Sequence, residues 1–247
     1  MSYQFNVKEA TEQCITWIQN WFKENGPDCK AVIGISGGKD STVAAALLTK
    51  ALGTDRVFGV LMPNGIQSDI NVSEEVCDYL GIKNITINME DAFDALQTQI
   101  TNSLGTFSTQ SEVNLAPRLR MTTLYAVSQS INGRVCNTCN YSEDYVGYST
   151  RYGDSVGDFS PLSNFTVEEV KAIGKHLGIP SKFIDKTPSD GLCGKTDEDN
   201  LGFTYQMLDD YLRKGILPPA DIKEHINYLH KKNIFKLRPM PAFRYMA

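Results

Sequence analysis

Ala31-Val32-Ile33-Gly34-Ile35-Ser36-Gly37-Gly38-Lys39-Asp40-Ser41 is the stretch that decides the fold. Its first five residues form a continuously apolar run, the mark of a strand buried on both faces. Thr42 to Leu52, rich in Ala and Leu and closed by Gly53, reads as a helix. Between strand and helix, glycines let the backbone adopt positive φ, so that successive N–H groups point into one concavity. The helix N-terminus adds its partial positive charge, and the result holds a phosphate or pyrophosphate. A Walker A loop would need Gly where this chain has Ile33, and Ser or Thr where it has Asp40. A carboxylate beside a phosphate cradle makes sense when it holds Mg²⁺ against the same phosphates.

Outward from this loop, strand and helix alternate. Residues 6–23 carry Val7, Cys14, Trp17, Ile18, Trp21 and Phe22 at mostly helical spacing, stopped by Asn25-Gly26-Pro27. Val57 to Leu61 repeats the buried-strand pattern, and Asp69 to Leu80 is an amphipathic helix closed by Gly81. Ile85-Thr86-Ile87 is a third strand, followed by a helix of about a dozen residues from Glu90. The Ser/Thr/Gly-rich residues 103–113 read as an exposed loop, Leu115 to Ile131 as a helix, and Gly133 to Asn137 as a fourth strand. Strands joined by helices of this length imply βαβ crossovers, hence an α/β fold with a doubly wound parallel sheet. Beyond Gly153 the alternation stops, and residues 166–177, 197–212 and 219–231 form a mostly helical final third, about 166–232. The expectation is one domain over residues 1–247.

Composition narrows the function classes. The chain has 247 residues, with 24 Lys and Arg against 29 Asp and Glu, a formal charge of −5. A protein that grips a nucleic-acid backbone usually presents a net basic face, so nucleic acid is not an expected partner. No apolar run approaches the ~20 residues of a membrane span. The six cysteines are scattered mostly inside apolar segments, which predicts reduced core thiols and a cytoplasmic setting.

Glu143, in Asn137-Thr138-Cys139-Asn140-Tyr141-Ser142-Glu143, lies just beyond the fourth predicted strand. Strand ends in a doubly wound sheet share one edge, so Glu143 can reach the 34–41 loop and complete an Mg²⁺ site with Asp40. Ser-Gly-Gly-Lys-Asp-Ser resembles the pyrophosphatase-type loop of ATP-dependent adenylating ligases. Thr138 to Leu162, with Gly147, Arg151-Tyr152-Gly153-Asp154 and Asp158, resembles the substrate-binding segment of NAD synthetases. Asn114-x-x-x-Arg118-x-Arg120-Met121, Lys186-x-Pro188-Ser189-Asp190, Asp197-Glu198-x-x-Leu201-Gly202-x-x-Tyr205 and His230-Lys231 follow in the same order.

The resemblance implies a Rossmann-like, adenine nucleotide alpha hydrolase-like fold. It also implies ATP-dependent amidation of deamido-NAD with ammonia, through an adenylated intermediate. ATP would be held by Gly34, Ile35, Ser36, Gly37, Gly38, Lys39, Asp40, Ser41, Thr138 and Ser189, and Mg²⁺ by Asp40 and Glu143. Arg118, Arg151, Asp158, His230 and Lys231 match deamido-NAD positions. Lys186 matches a catalytic residue at the ATP phosphates, and Asp154 a group handling ammonia. A homodimer is implied as well.

The chain departs from the commoner pattern at several points. Asn137-Thr138-Cys139-Asn140 stands for Gly-Thr-Asp-His, Leu61 for Arg, Val167 for Lys, Lys39 for the more usual Gln, and Ser189 for Thr. The length leaves no room for a glutaminase domain of ~250 residues beside this one, so ammonia is the expected nitrogen donor. Two other readings compete. Cys136-x-x-Cys139 after a strand also suits a tRNA-thiolating adenylating enzyme. A non-catalytic nucleotide-binding subunit would need neither the second carboxylate nor Lys186.

Overall fold

The computed structural model describes residues 3–67, 69–185 and 196–245. The elements run α1 (Val7–Asn25), β1 (Lys30–Gly34), α2 (Lys39–Leu52), β2 (Val57–Leu61), α3 (Ile70–Leu80), β3 (Lys83–Thr86), α4 (Glu90–Leu104), α5 (Thr109–Ser130) and β4 (Gly133–Val135). After these come α6 (Tyr141–Val146), α7 (Val167–His176), α8 (Ser181–Ile184), α9 (Asp197–Leu201), α10 (Tyr205–Asp209) and α11 (Ala220–Asn233).

The four strands form one parallel sheet in the order β3-β2-β1-β4, with Ala31 opposite Val57 on one side of β1 and opposite Arg134 on the other. Alternation along the strands divides the core. Ala31, Ile33, Val57 and Leu61 pack into the cluster that α1, α2 and α7 cover, while Val32 and Val60 meet Leu119, Leu124 and Val127 of α5. Residues Val43 to Leu48 of α2 are all buried, as expected of a helix hydrophobic on every face and wrapped by neighbours. Gly174 lets α7 approach closely, because a Cβ there would lie 2.3 Å from Ile184 Cδ1 and 2.9 Å from Val43 Cγ2. Phe22 and Trp21 of α1 close the far side on Phe159, with ring centroids 5.2 and 4.7 Å away.

The chain winds outward from β1 to β3 and then returns to place β4 on the other flank of β1. The switch point between β1 and β4 leaves a crevice at their carboxyl ends, where ligands of open α/β sheets bind.

Several boundaries differ from the sequence reading, and the third strand, expected at 85–87, runs Lys83–Thr86. The expected loop 103–113 shrinks to residues 105–108. Gly105 in the left-handed region ends α4, and the Ser108 side chain accepts from Ser111 N to start α5. Pro117 therefore lies inside α5 and deprives the Val113 carbonyl of its helical donor. Val113 is exposed, so water can take the donor's place. The expected helix 197–212 is broken at Gly202, which has φ +78, and resumes after the Thr204 cap. The fourth strand stops at Val135; Cys136 N still donates to Val32 O at 2.8 Å, and Cys136 forms an isolated bridge to Phe159.

Candidate active site

The loop and second carboxylate meet at the switch point. Gly37 has φ +73 and presses against α3, where an added Cβ would lie 3.2 Å from Ser73 N. Gly38 is the N-cap of α2 and no side chain caps it, so first-turn N–H groups of α2 are left facing the crevice. The loop holds itself: Ser41 Oγ accepts from Ser36 N at 3.3 Å, and Thr42 Oγ1 donates to Gly38 O at 2.7 Å.

Asp40, in the first turn of α2, and Glu143, in the first turn of α6, are joined through Asn140. Asn140 is fully buried; its Oδ1 accepts from Glu143 N and its Nδ2 donates to Asp40 Oδ1, both at 3.0 Å. One side chain thus caps α6 and fixes both carboxylates. The sequence reading counts Asn140 only among the departures; the signal for its role is the Asn-x-x-Glu spacing of a helix start. Burial, reinforced by the negative charge of Asp40, pushes the Glu143 carboxyl up, against the opposing pull of Lys39 and Asn140. Burial works to lower Lys39, yet Asp40 and Glu143 outweigh it and hold the ammonium above its ordinary value.

Two carboxylates beside a phosphate cradle suit Mg²⁺, which takes one or two protein carboxylates and completes its shell with phosphate oxygens and water. Among the described residues no group of three or more His, Cys, Asp or Glu is placed to hold a metal by itself. Thr138 lies half-buried in the segment between β4 and α6.

A second group of expected residues gathers where α5 meets the 150–153 turn. Arg118 Nε donates to Arg151 O at 3.4 Å, and Arg151 lies 4.8 Å from the Tyr152 ring and 5.3 Å from that of Phe235. Neither arginine makes an ion pair among the described residues, and Arg151 Nε is buried without a partner. Asp154 directly follows the 150–153 turn. Its side chain opens to solvent on one side, but desolvation from the surrounding protein raises its carboxyl, while Thr150 N at 2.6 Å and the charges of Lys236 and Arg120 oppose this.

Other expected residues carry structural contacts. Both oxygens of Asp158 are engaged, one by Val135 N at 2.7 Å and the other by Tyr125 OH at 3.3 Å, which ties α5 to β4. His230 stacks on Tyr145 at 4.0 Å, and its Nδ1 lies 2.8 Å from Tyr145 O at the end of α6. Lys231 follows it in the last turn of α11. Lys186 and Ser189 lie outside the described residues, as does Cys193. Val167 is buried with Val146, Leu208 and Ile226, and Leu61 is buried in the main core; both departures are apolar packing positions in this fold. Burial pushes the Cys136 and Cys139 thiols well up, which keeps them neutral and unsuited to nucleophilic thiol chemistry.

The NAD synthase family model matches residues 10–244, almost the whole chain. The chain belongs to the NAD synthase family. It is 38% identical to the NH(3)-dependent NAD(+) synthetase of Pyrococcus furiosus over 202 residues, covering 81% of this chain and 77% of the relative. Among solved family structures, the NMN synthetase of Francisella tularensis superposes with a TM-score of 0.88 at 34% identity, covering 98% of this chain and all of that one. The NH3-dependent NAD synthetase of Campylobacter jejuni, with a nitrate ion, gives 0.78 at 28% identity, with the same coverage. Membership in the family fits the parallel sheet. Among the described residues no helix is long and apolar enough to cross a membrane.

Proposed function

We propose that this chain is an ATP-dependent ligase that amidates deamido-NAD with ammonia, releasing AMP and pyrophosphate. The supporting observation is the convergence of Asp40 and Glu143 on one buried asparagine beside the Ser36–Ser41 loop. A carboxylate is a poor acyl donor. Attack of the nicotinate oxygen on the α-phosphorus of ATP breaks the α–β phosphoanhydride bond, expels pyrophosphate and gives an acyl adenylate from which AMP can leave in the next step. Ammonia then attacks the acyl carbon, and the acyl–oxygen bond breaks.

The α2 N-terminus, residues 34–41 and Thr138 receive the triphosphate, and Asp40 and Glu143 are the residues that would hold Mg²⁺. The ion, when bound, supplies positive charge against the charge developing on the triphosphate. Arg118 and Arg151 receive the anionic dinucleotide, with Asp158, His230 and Lys231 as further substrate positions. Asp154 takes a proton from ammonium in this reading. Lys186 and Ser189 keep their proposed place at the ATP phosphates. The working form is a cytoplasmic homodimer of single-domain subunits, a reading in keeping with exposed Phe235, Met240 and Phe243 near the C-terminus.

One observation favours a second reading of the substrate. The similarity to the Francisella NMN synthetase raises the mononucleotide, rather than the dinucleotide, as the acid amidated. Assay with ATP, Mg²⁺, ammonium and either acid separates the two. The expected result is NAD, AMP and pyrophosphate in equal amounts, with kcat/KM higher for deamido-NAD. A higher value for nicotinate mononucleotide reassigns the substrate, and ADP with phosphate overturns the adenylation chemistry.

A further inference from the structure

The Asp40–Glu143 pair contains a cation of its own. Lys39 Nζ lies 2.8 Å from Asp40 Oδ2 and 3.7 Å from Glu143 Oε1, and 5.7 Å from the centroid of the Tyr205 ring. Its side chain is 3% exposed, so the ammonium is lodged in the crevice rather than resting on its rim. The other oxygen of Asp40 accepts from Asn140 Nδ2, so both carboxylate oxygens are engaged.

We infer that Lys39 is the resident counter-ion of the Asp40–Glu143 pair in the nucleotide-free protein, and that the pair accepts a divalent cation only when a triphosphate arrives to receive the displaced ammonium. This rests on the reading of Asp40 and Glu143 as the metal-holding residues. Mg²⁺ requires its oxygen ligands at ~2.1 Å, so an ion on Asp40 Oδ2 and an ammonium hydrogen-bonded to the same atom would repel at short range. The electrostatics point the same way: an ammonium held 2.8 Å from one carboxylate and 3.7 Å from the other offsets the negative charge that would draw a divalent ion. Lys39 is the first residue of α2, beside the uncapped N-terminus that forms the phosphate cradle, so the leaving ammonium has a compensating anion close by. The consequence is an order of events: free metal is refused, and metal enters together with nucleotide.

Binding of Mn²⁺, read from the electron paramagnetic resonance signal of the free ion, tests this without turnover. The proteins are wild type, Lys39→Gln, Lys39→Met and Lys39→Arg, each with and without α,β-methylene-ATP and checked for folding by circular dichroism. Without nucleotide, the Gln and Met variants should bind Mn²⁺ roughly tenfold or more tightly than wild type, since an adjacent positive charge has been removed. Lys39→Arg, which keeps the charge, should bind as weakly as wild type. With the analogue, all four should bind, and Asp40→Asn added to Lys39→Gln should abolish the gain. Equal Mn²⁺ affinity in wild type and Lys39→Gln without nucleotide would overturn the inference while leaving the metal site standing. No Mn²⁺ binding to any variant with the analogue would overturn the metal site, and the inference with it. Should Lys39→Gln not fold, Lys39→Met, with a stem of similar length and no charge, carries the same comparison.

Discussion

At the β1–β4 crevice every charged group has an answering partner: Asp40 meets Lys39 and Asn140, and Glu143 meets Lys39 and the same asparagine. At the α5–turn junction, Arg118 and Arg151 lie together with aromatic neighbours and make no ion pair among the described residues. The first region is organised before any ligand arrives. The second carries a positive charge that only an incoming anion balances. The difference fits the division of work proposed above, an internally paired charge cluster for chemistry and a cationic surface without ion pairs for holding substrate.

The largest break in this contrast comes from the first region. Asp40→Asn and Glu143→Gln should leave the circular dichroism spectrum intact and lower kcat by roughly 100-fold or more, as each removes charge next to developing phosphate charge. Near-normal turnover in either variant at ordinary magnesium would take that residue out of the site. The second region should answer differently. Arg118→Ala or Arg151→Ala should raise KM for the dinucleotide by roughly 10- to 100-fold, the scale of a charge-assisted contact, with a smaller change in kcat. A fall in kcat with unchanged KM would show that these arginines act in the chemical step instead.

Two smaller effects sharpen the picture of the crevice. Asn140→Ala removes the cap of α6 and the tether of Asp40, so thermal unfolding should show a loss of about 1 kcal/mol. Turnover should fall by more than that stability loss explains, and an unaltered kcat would reduce Asn140 to a cap. Asp144, beside Glu143, has its carboxyl raised from 3.8 to about 6 by burial first and the charge of Asp154 second, against a hydrogen bond with Ser163. A group raised in the folded state binds its proton more tightly there, so its contribution is present below pH ~4 and lost as pH rises through 6. In metal-free protein, Asp144→Asn should therefore be more stable than wild type at pH 8, on the order of 2 kcal/mol, with the gap closing toward pH 4. A gap independent of pH would mean that Asp144 is not the titrating group.

How far the sequence is legible follows from where its information is local. The strand–Ser-Gly-Gly-Lys-Asp-Ser–helix unit is contiguous, so β1, the loop and α2 are readable directly, and the switch point follows from helix-spaced strands. Asp40 and Glu143 could be brought together because strand ends share an edge. Asn140 could not, because its second contact crosses 100 residues of sequence to Asp40. The start of α5 was hidden because Thr109 and Ser111 are weak helix formers and Pro117 argues against a helix running through it; the Ser108 cap starts the helix, and only its later turns, with Leu119, Leu124 and Val127, pack on the sheet. The Arg118–Arg151 pairing came from family resemblance rather than spacing, and contacts such as His230 on Tyr145 depend on how α11 folds back on α6.

The most direct measurement follows oxygen. Deamido-NAD labelled with ¹⁸O in its nicotinate carboxylate, turned over with ATP, Mg²⁺ and ammonium, should give AMP carrying one labelled oxygen and pyrophosphate carrying none. The carboxylate oxygen that attacks the α-phosphorus stays with it when ammonia breaks the acyl–oxygen bond. Label in inorganic phosphate, or AMP without label, would contradict adenylation at this crevice.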